Sequence, residues 1–155
     1  MKMLLTLIVG ILILVSFVAL LRKRIVVEPK VKIADVPAIF EKLRTVEKDG
    51  SFAVLAFTPP GESEAVNIQF SIEGGRTGLD WVLIGPLNIR DKEKFAKFTG
   101  KLGYRVFERE MNNVKYLRVE EGGSLPQLCQ ALIGSLYSVP SEAELDLIPQ
   151  GFTWP

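Results

Sequence analysis

The chain has 155 residues, which sets the scale at one domain, and 48% of them are apolar. Nineteen Lys and Arg against 18 Asp and Glu leave a net charge of +1, which excludes a strongly basic nucleic-acid binder and an acidic disordered chain. There is no His and a single Cys, which removes His-based triads, the commonest metal ligand and any internal disulfide.

The first two dozen residues stand apart. Met3 to Leu21 carries no charge, and its only polar side chains are Thr6 and Ser16. As a helix this run rises about 28 Å, close to the hydrocarbon thickness of a bilayer. It has no polar face, which argues against a surface-lying amphipathic helix. It is longer than the apolar region of a cleaved signal peptide and ends in Arg22-Lys23-Arg24, not in a small-x-small site. The expectation is an uncleaved, single-pass signal anchor over residues 3–21 in the plasma membrane, with the bilayer as its partner. Arg22, Lys23, Arg24, Lys30 and Lys32 follow the run, against Lys2 and the α-amino group before it. That bias places the main domain in the cytoplasm, with Arg22, Lys23 and Arg24 as the membrane-proximal basic group.

Residues 22–34 read as a basic juxtamembrane linker, extended and interrupted by Pro29. A single α+β domain is expected over 35–155. Asp35 is a candidate N-cap with Pro37 in the first turn, and Val36, Ile39, Phe40 and Leu43 recur at helical spacing. Phe52 to Phe57 is apolar on both faces, as a central strand is. Val66, Ile68, Phe70 and Ile72 alternate with Asn67, Gln69 and Ser71, the mark of a half-buried strand. Gly74 to Gly78 reads as a turn before a third strand, Leu79 to Ile84. Asp91 is a candidate cap for a second helix with Phe95, Phe98 and Leu102 inward, ending at Gly103 in the left-handed conformation. Tyr104 to Glu110 and Val114 to Val119 form a hairpin around Asn112-Asn113, two residues that tolerate positive φ. Ser124 caps a third helix whose stripe is Leu125, Leu128, Leu132, Ile133 and Leu136. Ser141 to Glu144 fits a capping box for a short closing turn, and the apolar tail from Ile148 to Pro155 is expected to dock on the body.

The expected fold is therefore α+β in the order α-β-β-β-α-β-β-α. It has a five-stranded, mainly antiparallel sheet with helices on one face, preceded by one transmembrane helix. This succession, from Asp35 to Tyr137, resembles the type III secretion chaperone-like fold and the related YbjN-type peptide-binding chaperone domains. The resemblance is nearest in the hairpin stretch Gly103 to Arg118, and the N-terminal anchor departs from the soluble secretion chaperones. It implies a chaperone-like module that binds a polypeptide.

Motifs with chemical content are few. Gly74-Gly-Arg-Thr-Gly78 lacks the spacing and the following Lys-Ser/Thr of a phosphate loop and precedes a strand, which favours a hairpin turn. Gly122-Gly123-Ser124 opens a helix, but Glu120 and Glu121 beside it repel an anion. Glu108 and Glu110 share a strand face, where Arg105, Arg109 and Arg118 offer solvated cross-strand ion pairs as the simpler role. Cys129 in an apolar helix reads as packing. Charge is unevenly laid out: −3 over residues 25–87, +5 over 88–118 and −5 over 119–155. The blocks compensate one another internally, or the basic one docks on anionic headgroups or an acidic partner.

No catalytic residue, cofactor, metal or nucleic acid is expected. The expected function is a membrane-anchored, non-catalytic protein- or peptide-binding module, chaperone-like or adaptor. The alternatives are a structural subunit of a membrane complex and, behind it, an enzyme with an unrecognised site. Partner binding, to a peptide, a protein or a second copy, is expected through the sheet. Trp81, Tyr104, Phe107 and Tyr116 are its candidate residues because they are large aromatics on strands.

Overall fold

The computed structural model describes residues 28–155. The expected membrane span over 3–21 and the basic residues Arg22, Lys23 and Arg24 lie outside the described residues. Among the described residues no helix is long and apolar enough to cross a membrane.

The order of elements is β1 (Lys30–Val31), a 3-10 turn (Ile33–Asp35), α1 (Val36–Val46), β2 (Phe52–Phe57), β3 (Val66–Glu73), β4 (Arg76–Val82), α2 (Pro86–Arg90), α3 (Lys92–Lys101), β5 (Phe107–Met111), β6 (Val114–Val119), α4 (Leu125–Ala131) and β7 (Leu145–Gln150). All strands join one antiparallel sheet in the order β1-β7-β2-β3-β4-β6-β5.

The sheet has seven strands where five were expected. Both additions lie at the ends of the described chain. Lys30–Val31, expected as linker, pairs with β7. The closing segment, expected as a docked tail, runs as an interior strand between β1 and β2. The reason is the character of β2. A strand apolar on both faces cannot be left with an open edge, and β7 supplies the missing ladder by pairing Leu147 with Leu55 and Ile148 with Val54.

Several local expectations meet a structural counterpart. Ser124 accepts a hydrogen bond from the Gln127 backbone N–H at the start of α4. Gly103 has φ +87° after α3. Asn112 and Asn113 have φ +52° and +64° at the β5–β6 turn, the signs a tight hairpin requires. Others differ. The Asp35 side chain makes no cap bond to α1 and accepts instead from the Lys32 backbone N–H, closing the 3-10 turn ahead of the helix. Asp91 makes no cap bond to α3, because its carboxylate is taken by Arg90 and the Tyr137 hydroxyl. Leu102 is 47% exposed, not inward. The third helix is α-helical only to Ala131, after which Leu132–Leu136 forms a π-helical turn.

Strand parity separates the two faces of the sheet. Ala53, Leu55, Phe70, Leu79, Trp81 and Val119 share one face by register and are buried in the main core. The helices pack here: Phe40 of α1 meets Phe70 edge-on, and Phe95 of α3 stacks on Trp81 at 4.8 Å. The π-helical turn after α4 delivers Leu132 and Ile133 to the same core. The other face carries Phe52, Val54, Ser71, Gly78, Asp80, Tyr116, Arg118 and Phe107.

Candidate functional site

The four aromatics expected to form one binding face are not brought together. Trp81 is fully buried in the helix-covered core, where its indole N–H donates to the Asn88 carbonyl at 2.9 Å. It presents no surface. Tyr104 lies in the connection between α3 and β5, not on a strand. It packs on Gly122 and Gly123, and its hydroxyl donates to the Ser124 carbonyl. Phe107 and Tyr116 share the face opposite the helices. Tyr116 is buried, with its hydroxyl donating to Glu73. Phe107 is half-buried on the outer strand, under the guanidinium groups of Arg105 and Arg109.

A polar network occupies the centre of that face. Arg118 is fully buried. Its guanidinium donates to Asp80 and to the Ser71 hydroxyl, both at 2.8 Å, to Glu120 at 2.7 Å and to the Arg76 carbonyl at 3.0 Å. Glu73 stands 3.5 Å away. The guanidinium lies flat on Gly78, where a Cβ would come within 2.4 Å of its central carbon. Glycine is required here by close approach, since no larger residue leaves room for the plane. Three carboxylates thus share one buried cation. Burial pushes the Asp80 carboxyl up to about 6, against the pull of Arg118 and the Ser71 hydroxyl. Burial also works against the charge of Arg118, but Asp80, Glu120 and Glu73 outweigh it and hold it protonated.

These contacts correct the expected pairing of Glu108 and Glu110 with arginines. Glu108 pairs with Lys92 of α3 at 2.8 Å, and Arg118 turns to Asp80 and Glu120. Parity is the cause. Arg118 faces Phe107 across the ladder, so Glu108, one residue on, points to the other side. Cys129 is fully buried, and burial pushes its thiol up, away from the thiolate. Among the described residues no group of three or more Cys, Asp or Glu is arranged to hold a metal ion.

The outer strand β5 is the exposed edge at that end of the sheet. A second copy that continued the sheet there through a two-fold axis would place residues of equal parity opposite one another. Registers centred on Glu108, Arg109 or Glu110 then oppose Glu108 to itself, Arg109 to itself, or Glu110 to itself. Like charges directly opposite are unfavourable, so these three registers are disfavoured, while one centred on exposed Met111 opposes no like charges.

A concavity lies elsewhere, on the helix side. A cleft of about 880 Å³ opens between α1, the β3–β4 turn and the start of α4. Phe40, Ile72, Leu125, Pro37 and Pro126 give it apolar walls. Glu41, Arg44, Glu47, Arg76, Glu120 and Glu121 surround them. Arg44 binds Glu41 at 2.9 Å and Arg76 binds Glu120 at 3.5 Å. Glu47 closes α1 in the left-handed conformation at φ +52°. The sequence carried no sign of this cleft, whose walls come from three segments up to 89 residues apart, Pro37 to Pro126. A smaller hollow of about 260 Å³ lies beside Lys92, Glu108 and Lys115. Lys94, Lys97 and Lys101 of the basic block are exposed on α3.

No family model matches the chain, and no curated protein or solved structure matches it either. What the chain is, at the level of fold, is an α+β domain with a seven-stranded antiparallel sheet and helices.

Proposed function

We propose that this protein is a membrane-anchored, non-catalytic module that binds a protein or peptide, chaperone-like or adaptor in kind. The observation that carries this reading is the 880 Å³ cleft, with apolar walls and a charged rim on the helix side of the sheet. Clefts of this size and make-up suit a segment of polypeptide, whose apolar side chains fill the walls while its backbone and polar groups meet the rim. The α-β-β-β-α-β-β-α succession read from the sequence, which resembles the secretion-chaperone and YbjN-type folds without β1 and β7, agrees with it as analogy. The cleft displaces the sheet aromatics as the binding surface, since Trp81 and Tyr116 are buried and Tyr104 is bound to the chain that leads into α4.

The anchor reading rests on the uncharged run from Met3 to Leu21 and the cluster Arg22-Lys23-Arg24. It places the domain at the cytoplasmic face of the plasma membrane, held there by the bilayer. Site-specific photo-crosslinking in cells tests the binding reading. A photoreactive residue in place of Thr77, inside the cleft, is expected to capture a polypeptide, and one in place of exposed Met111 is not. Equal yields at both positions, or none at Thr77, would overturn it.

A further inference from the structure

Resting on that reading, we infer that the cleft selects a cationic segment, with Lys or Arg flanking apolar side chains, and rejects an acidic one. The rim holds four carboxylates and two guanidiniums. Both guanidiniums are already committed. Arg44 is bound by Glu41 on the same helix, and Arg76 shares Glu120 with the buried Arg118. Glu47 and Glu121 make no ion pair among the described residues, and both are exposed. One stands at the end of α1 and the other at the start of the β6–α4 connection, so each wall of the cleft offers one carboxylate outside any ion pair.

The remaining lining sets the rest of the preference. Exposed Pro37 and half-buried Phe40 and Pro126, with buried Ile72 and Leu125 behind them, ask for apolar side chains between the two charges. An anionic segment would meet Glu47, Glu121 and Glu120 with only paired arginines to receive it. The start of α4 offers it little, since Ser124 already accepts from Gln127 and Glu120 and Glu121 stand beside it. Complementary potential of this kind governs which partners approach and which are refused.

The test uses the full chain in a non-ionic detergent and three labelled nonapeptides, alternating Val with Lys, with Ser or with Glu. Binding is read by fluorescence anisotropy. Thr77→Trp fills the cleft and serves as the blocked control, which also subtracts binding to micelles. The Lys peptide is expected to bind tightest and the Glu peptide not at all. Glu47→Gln with Glu121→Gln is expected to weaken the Lys peptide by about threefold to tenfold, since each exposed charge contributes modestly. Raising salt should do the same. If all peptides bind alike and Thr77→Trp abolishes each, the cleft binds peptides and the charge preference fails. If no peptide binds, or if Thr77→Trp binds the Lys peptide as well as the unaltered chain, the peptide-binding reading itself falls.

Discussion

The two faces of the sheet bury their side chains by different physics. On the helix side Trp81 stacks on both Phe95 and Tyr137, and nearly every neighbour is apolar. On the other side the central buried groups are Arg118, Asp80 and Ser71, joined by charge-assisted hydrogen bonds. An apolar core tolerates loss in proportion to the area and cavity left behind. A buried ionic network behaves otherwise: each member depends on its partners, because a lone buried charge costs far more than the pair contributes. The lesson is that removal of one group and removal of both should diverge on one face and not on the other.

The largest effects test that divergence. Arg118→Met is expected to cost about 3–5 kcal/mol, because Asp80 is left buried without its cation. Adding Asp80→Leu to the same chain is expected to restore much of that loss. Trp81→Ala is expected to cost a similar 3–5 kcal/mol through the cavity it opens, with no second substitution on the opposite face able to restore it. Urea unfolding of the full chain in detergent measures all three. If Arg118→Met with Asp80→Leu is no more stable than Arg118→Met alone, the network picture fails.

Gly78→Ala comes next, at about 1–3 kcal/mol, because the new methyl must displace a buried guanidinium. In the background of Arg118→Met that cost should largely vanish. A double-mutant cycle measures the coupling, and full additivity would place the strain somewhere other than Arg118.

Asp80→Asn sharpens the comparison through pH. The folded carboxyl stands at about 6 against an ordinary 3.8, so folding favours its protonated form. Its contribution to stability is therefore greatest below 3.8, declines as pH rises through 6 and is constant above that. Glu120 and Asp91, which are held low by arginine partners, act in the opposite sense and lose stability as pH falls. Their effect is common to both chains. The melting temperature of the unaltered chain minus that of Asp80→Asn is thus expected to fall between pH 4 and 6. Glu73, Glu120, Arg76, Arg118, Tyr116 and Ser71 all face this carboxyl or its partner, so a flat difference would mean that another member takes the proton.

The smallest effect belongs to surface positions. Leu102→Ser removes an apolar side chain that is already 47% exposed and is expected to change stability by no more than about 0.5 kcal/mol. A larger loss in the full chain, absent when detergent is exchanged for another, would reveal a contact that the isolated domain does not make.

Local chemistry was legible in the sequence. The alternation from Val66 to Ile72, the Ser124 cap, Gly103 and the Asn112-Asn113 turn each depend on neighbours within a few residues, so periodicity and turn chemistry suffice to place them. The uncharged run before Arg22 is likewise a property of the sequence alone. The tertiary structure decided everything that joins distant segments. Leu145–Gln150 became an interior strand because β2, about ninety residues earlier, needed a partner for an edge that is apolar on both sides. Trp81 became core and Phe107 surface through strand parity and position in the sheet, which composition does not encode. Arg118 finds Asp80, Ser71 and the hollow above Gly78 only when β3, β4 and β6 lie side by side, and the cleft exists only where α1 and α4 meet the β3–β4 turn. A sequence fixes which face of its own element a side chain occupies, but which groups meet across elements is set by the pairing of the whole sheet.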